Sequence, residues 1–437
     1  MRGIGRVVFA GMLGAALAAA AGISWTTARA QAQTTPTPYT TEEYNAFNKA
    51  HTETDTQQKV KLLDDFAAKY PNSALNPYVY NDYVTAYTAL KDFPNEIKYI
   101  DKLLALPNLD ANSMFQARAA RAQAFLQCVS LPQCSSPEAL KAETDSAQQA
   151  LNDLPKVQKP ANMSDDDFGK IKKQFTGILS SAIATAAYQA KDWAASATAY
   201  KNLIALDASD GSNWVRYGTS LLQQNPPQTL DGMWALAHAI SLLKPPADAT
   251  VKTYLKNRIA QYQQLGCDSL VDDELTQMVT MAATTPDRPT TFALPTSDDL
   301  GKARNDMTNF IPALRAGGDQ GKTMWLATCG LEFPEVVAKV ISVDAPADNA
   351  IVLHLCMGAT ADETENCKAA DMDVKIADQP DAKRVQPDDG LRFDATLVGY
   401  DQNPFMLHWE KGKVNPEDIP APNEKGKKRP VKHGPQR

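Results

Sequence analysis

Two short strings recur along this chain and limit what it can fold into. Lys91-Asp92-Phe93 leads into NEIKYIDKLLALPN, and Lys191-Asp192-Trp193 leads into AASATAYKNLIALDAS. Each is a turn, an aromatic residue and an amphipathic helix that ends in a Leu-rich turn. Another helical run precedes each, PYVYNDYVTAYTAL in the first case and GILSSAIATAAYQA in the second. Recurring helical hairpins predict a stack, because one hairpin cannot bury its apolar face alone and closes its core on its neighbours. Large residues such as Trp214, Tyr217 and Leu221 share one helix face. Small ones such as Ala184, Gly218 and Ala235 let adjacent helices approach.

A third copy begins Trp214-Val-Arg-Tyr217-Gly218-Thr-Ser-Leu221. That W-x2-Y-G-x2-L string is close to the W-x2-L-G-x2-Y signature of a repeat about 34 residues long. Its second helix, MWALAHAISLL, places Ala235, Ala239 and Leu242 at fitting spacings. On these residues, 41–265 resembles the tetratricopeptide-repeat family, most closely over 177–247 and next over 77–110. EEYNAFNKA with QQKVKLLDDFAAKYPNS, and MFQARAARAQAFLQ with PEALKAETDSAQQALNDLP, look like degenerate hairpins; TVKTYLKNRIAQYQQLG reads as a final capping helix. An unrelated helical bundle is the competing structural reading. The resemblance implies a concave groove, lined by the first helix of each hairpin, that grips a protein or peptide. Carried over by alignment, the groove-facing candidates are Tyr78, Asn81 and Thr85, then Ser181, Thr185 and Tyr188, then Val215 and Thr219. The family's paired Lys and Asn carboxylate clamp is missing.

The N-terminus addresses the chain. Arg2 and Arg6 precede an apolar Ala- and Gly-rich stretch over 7–23, and Ala28-Arg29-Ala30 offers a small-x-small cleavage site. This is the pattern of a secretory signal peptide over 1–30, with an uncleaved anchor as the alternative. A polar linker, 31–40, follows. All six cysteines lie beyond the cut, and an even number in an exported chain reads as disulfides. The local pairs are Cys128 with Cys134, Cys267 with Cys329, and Cys356 with Cys367; free buried thiols are the other reading. Export places the protein in the periplasm or on the cell envelope.

Residues 266–333 read as a helical connector, with Ser297 as the N-cap of a run continuing to Gly317. Over 334–412 the periodicity falls towards two, with strands expected in VVAKVISVDA, AIVLHLCMG, MDVKIAD, LRFDATLVGYD and PFMLHWEKGKV. Five short strands suit a small closed barrel, and the pattern is similar to OB-fold-like domains of exported bacterial proteins; a small sandwich is the alternative. Phe393, Tyr400, Phe405 and Trp409 are expected in its core. The fold class is therefore multidomain α plus β, an α-α superhelix of hairpins followed by a five-stranded OB-like barrel. A basic tail, 413–437, is expected to be disordered. It reads either as solvated chain or as a weak electrostatic contact with anionic envelope material.

Chemistry is hard to find in the 437 residues. The net charge of −7 argues against nucleic acid as a partner. The five histidines, at 51, 238, 354, 408 and 433, are too scattered to suggest a metal cluster. HExxH, GxSxG and CxxC are absent. Ala316-Gly-Gly-Asp-Gln-Gly-Lys322-Thr323 fits a relaxed phosphate-loop pattern, but a helix precedes it where a strand is required, so it reads as a glycine helix stop at Gly317 and Gly318. The expected function is a non-catalytic scaffold or adaptor that binds a protein partner and needs no metal or cofactor. The alternatives are an envelope-polymer or carbohydrate binder acting through the β domain, and an enzyme with an unrecognised C-terminal site.

Overall fold

Polar side chains open nearly every helix in the first half of the chain. Thr40, Asp55, Asp92, Asp110, Ser136 and Ser164 each accept a first-turn backbone N–H, and Asp192 and Asp210 do the same. The computed structural model describes residues 38–107, 109–345 and 351–422. The signal peptide expected over 1–30, most of the linker and the last fifteen residues of the tail lie outside the described residues. The chain divides into two compact units. The first runs to Gly232 and takes in Leu242–Asp248; the second holds Met233–Ser241 and everything from Ala249 onward. The expected connector thus falls within the barrel's unit.

The first unit contains α1 (Thr41–His51), α2 (Thr56–Lys69), α3 (Asn76–Leu90), α4 (Phe93–Leu104) and α5 (Ala111–Cys128). α6 (Pro137–Asp153), α7 (Asp165–Gln189), α8 (Trp193–Leu206) and α9 (Gly211–Gln223) follow. The two KD turns adopt the same conformation. Lys91 and Lys191 sit in the left-handed region, at φ 57° and 59°. In the first turn the Lys91 and Asp92 N–H groups donate to Thr88 and Tyr87 carbonyls; in the second, Lys191 and Asp192 donate to those of Tyr188 and Ala187. The buried positions match as well. Val79 and Leu179, Ala86 and Ala186, Ile100 and Tyr200, and Leu103 and Leu203 are all buried.

Every closely packed helix pair in this unit is adjacent or next-but-one in sequence, as in α1 with α3 or α5 with α7. Its core is accordingly a series of small clusters. One joins α1, α2 and α3 around Phe66 and Tyr83, one joins α4 to α5, and one joins α5, α6 and α7. The Cys128–Cys134 disulfide closes the turn between α5 and α6. Beneath it, buried Arg121 donates to Asp101 at 2.8 Å and to Glu143, which is wholly buried. Burial outweighs that guanidinium and raises the Glu143 carboxyl to about 7.

The second unit begins within α10 (Thr229–Leu242) and continues through α11 (Ala247–Gln263) and α12 (Asp268–Thr284). The run expected as one helix from Ser297 is instead α13 (Ser297–Asn305) and α14 (Phe310–Ala316). Pro312 lacks the N–H that an unbroken helix would need there. The cap lies one residue earlier than expected, at Thr296, whose hydroxyl accepts from Asp299 N–H while the Asp299 carboxylate accepts in return. Gly317, at φ 66°, ends α14, as the sequence suggests; Gly318 opens α15 (Gly318–Thr328) rather than ending a helix. A Cys267–Cys329 disulfide ties the start of α12 to the end of α15.

All five expected strands form: β1 (Glu332–Asp344), β2 (Ile351–Cys356), β3 (Met372–Ile376), β4 (Gly390–Gln402) and β5 (Phe405–Val414). They close a barrel in the order β1-β2-β3-β5-β4, antiparallel except for β3 with β5. This is the OB-like arrangement. Ala338, Val340, Leu353, Val374, Leu397 and Trp409 fill it, with Phe310, Ile311 and Leu314 of α14 in the same core. α16 (Ala361–Asn366) lies between β2 and β3, beside the Cys356–Cys367 disulfide. The segment 413–422, expected as the start of a disordered tail, is ordered. Lys413 and Val414 complete β5, and buried Asp418 accepts from Arg392 at 2.8 Å.

Candidate functional site

The residues expected along a groove divide into two groups. On α3, Tyr78 is 61% exposed, Thr85 is exposed and Asn81 is half-buried. The latter two also bond within their own helix: Asn81 donates to the Pro77 carbonyl and Thr85 to that of Asn81, both at 3.0 Å. On α7 the expectation fails for Thr185. It is buried, with its hydroxyl 3.4 Å from the Tyr200 phenol, because the facing helix α8 closes over it. Tyr188 is half-buried and packs edge-on to Trp193, with the Arg216 guanidinium 5.5 Å from its ring centre. Ser181, Val215 and Thr219 are half-buried.

The open part of this face is therefore at α3, and α1 extends it. Tyr44 is 45% exposed, and Phe47 on the same helix lies 6.2 Å from the Tyr78 ring. His51 stacks on Phe47 and meets the Asp82 carboxylate at 2.9 Å. The sequence carried a signal for this patch in the spacing Tyr44, Phe47, His51, one stripe of a helix. It was hidden because α1 belongs to the least regular repeat.

A second constellation lies on the outside of the barrel. Strand register places Ser342, His354, Asp373, His408 and Gly399 side by side on β1, β2, β3, β5 and β4. His354 Nδ1 is 2.6 Å from Asp373 and its Nε2 is 3.1 Å from Asp344. His408 Nε2 is 3.0 Å from Asp401, and its Nδ1 is 3.8 Å from the other Asp373 oxygen. A line of Asp344, His354, Asp373, His408 and Asp401 thus crosses all five strands. Gly399 lies beside His408, where an added Cβ would make ordinary contact at 3.4 Å with the imidazole. Histidines too scattered in sequence to suggest a cluster are brought together by barrel closure.

Both ring nitrogens of His354 face carboxylates, so both hydrogen bonds need the doubly protonated ring. Partial burial disfavours that cation, but the bonds and charges of Asp344 and Asp373 outweigh it and raise the His354 pKa above its ordinary value. Among the described residues, no group of three or more His, Cys, Asp or Glu is arranged to hold a metal ion. Of the barrel aromatics expected in the core, Phe393 and Trp409 are buried and Tyr400 and Phe405 half-buried.

The glycine-rich string joins two helices, α14 and α15, without the preceding strand of a phosphate loop. Its Lys322 reaches Glu274 of α12 at 2.9 Å, beside a small cleft lined by Gln277, Met281 and Phe292. Among the described residues, no helix is long and apolar enough to cross a membrane. No protein-family model matches this chain, and no curated protein sequence is significantly similar to it.

Proposed function

We infer that this chain is an exported, non-catalytic adaptor that docks a segment of another protein along the first helices of a tetratricopeptide-like stack. The observation that carries the reading is two exposed tyrosines, Tyr44 on α1, stacked on Tyr39, and Tyr78 on α3, 6.2 Å from Phe47 of α1. Tyrosine offers a partner large contact area together with a polar tip, and such rings are enriched in interfaces. Asn81 and Thr85 continue the same helix face. Two further features agree with it. Hairpins that pack only on near neighbours leave their first helices available to a ligand. Three disulfides fit an oxidising compartment and so favour export to the periplasm or envelope.

The test is site-specific photo-crosslinking in the native envelope. A benzophenone side chain at position 78 is expected to yield discrete protein adducts that disappear when Tyr44→Ala is added. The same probe at position 98, exposed on α4, is expected to yield none. Equal labelling from both positions, or adducts indifferent to Tyr44→Ala, overturns the reading.

A further inference from the structure

The cleft beside Lys322 is incomplete in its polar chemistry. It lies within the second unit, between α12, α15 and the extended run 291–294. Glu274, Gln277 and Met281 reach it from one face of α12, at spacings of three and four residues. Lys322 reaches it from α15. The Glu274 side chain is only 4% exposed, and burying a carboxylate is costly unless its oxygens are bonded. Its Oε1 has no hydrogen-bond partner among the described residues, although Lys322 Nζ lies 2.9 Å away. That contact is ionic and falls off the direction of a hydrogen bond. Lys322 is 51% exposed, and its hydrogen bond to the Gln277 side chain is long, at 3.4 Å. It can turn towards a ligand at small cost.

The opposite wall is extended chain that joins no sheet. Along 291–294 exposed and buried residues alternate, with Phe292 and Leu294 buried. Phe292 packs edge-on to Trp234 at 4.7 Å, and its carbonyl accepts from Arg288 at 2.9 Å, so this wall is held in place. The Ala293 N–H and C=O, beside the cleft, make no hydrogen bond among the described residues. Met281, Phe292 and Leu294 supply an apolar lining. The cleft volume of about 260 Å³ is below the ~300–1,000 Å³ of sites for drug-sized ligands, so its occupant is small.

We propose that this cleft binds a free amino acid with an aliphatic side chain, its ammonium on Glu274 and its carboxylate on Lys322. The two charges follow from each other. An orphaned carboxylate oxygen needs a donor, and an ammonium supplies three. A donor that takes Glu274 leaves Lys322 without its anion, so the same ligand must return a carboxylate. An α-amino acid carries both groups on one carbon, and one Lys–Glu contact is replaced by two. Its side chain then lies against Met281, Phe292 and Leu294, and the Ala293 backbone is available to either charged end. A plain amine or a plain carboxylate completes only half of this arrangement. The site is separate from the tyrosines of α1 and α3, and neither reading rests on the other.

The experiment is isothermal titration calorimetry on the dialysed full chain at neutral pH and low salt. The probes are L-leucine, 4-methylpentanoate, which lacks the ammonium, and 3-methylbutylamine, which lacks the carboxylate. L-leucine is expected to saturate one site, and each analogue to bind about tenfold or more weakly. Lys322→Gln, at a half-exposed position that spares the fold, should weaken L-leucine by a similar factor and leave 3-methylbutylamine no weaker. Glu274→Gln should weaken both; if that variant fails to fold by circular dichroism, the Lys322→Gln pattern decides. No saturable heat from L-leucine up to about 10 mM overturns the proposal in favour of a cleft that holds only water. Equal binding of the three probes overturns it in favour of an unselective apolar hole. L-leucine binding indifferent to Lys322→Gln, or equal weakening of all three probes by it, overturns it as well.

Discussion

Glu96 and Ser196 occupy the same place in the two recurring hairpins, and both are buried. Ser196 shares a hydrogen bond with Ser220 at 2.8 Å, whereas one carboxylate oxygen of Glu96 has no partner. Burial raises the Glu96 carboxyl to about 7. Its folded pKa lies above the unfolded value, so its contribution to stability is lost as pH rises from the ordinary carboxylate range to about 7. Glu96→Gln is therefore expected to stabilise the protein by roughly 1–3 kcal/mol at pH 8 and far less at pH 5. Urea midpoints at the two pH values check this. His354 has the same sign. Its raised pKa gives stability that is fully present below the unfolded histidine value and lost as pH rises through the folded one. His354→Gln should cost up to about 1 kcal/mol at pH 5.5 and little at pH 9, since the pairs are partly exposed. Neither environment is visible in the sequence. Glu96 reads as one more charge on an amphipathic helix, and His354 lies 54 residues from His408. Thr185 shows the converse error, a polar residue on an expected open face that a tyrosine from the next helix covers.

At the scale of elements, turns were the legible part. Lys-Asp-aromatic states a left-handed stop, an N-cap and the first large residue of the next helix, and both copies fold to that geometry. Lysine is not the residue that geometry prefers. Lys91→Gly and Lys191→Gly should each stabilise the protein by ~0.5–1 kcal/mol, because glycine pays no Cβ penalty at positive φ. Equal gains in thermal or urea unfolding would confirm that the two turns are energetically alike; a loss at either site would mean that the lysine stem packs usefully there. The five strands were legible for a similar reason, since alternation names the buried face of each. Their order was not. Two residues brought adjacent by closure of β3 against β5, such as Asp373 and His408, carry no local mark of it. The outer-face site therefore emerges only from topology.

The two units should fail differently when cut. Helices that pack only on near neighbours have stability close to a sum of local terms. A closed barrel has no end to lose, because each strand is bonded on both sides. Removing α1 and α2 is then expected to expose one face of α3 while α4 to α9 keep their structure. The urea dependence should become shallower as less surface is exposed on unfolding. Ending the chain at Val414 removes Asp418, leaves Arg392 without the buried carboxylate that holds it, and bares the β4–β5 corner. That loss is expected to cost roughly 2–4 kcal/mol and to be shared by every strand. Hydrogen exchange followed by mass spectrometry separates the cases. In the first truncation, protection should drop in α3 and recover by α4. In the second, it should drop together in β1 to β5. If deletion of α1 and α2 instead melted all of α3 to α9 at once, the first unit would be a single cooperative core, and the adaptor reading would lose the open stack on which it rests.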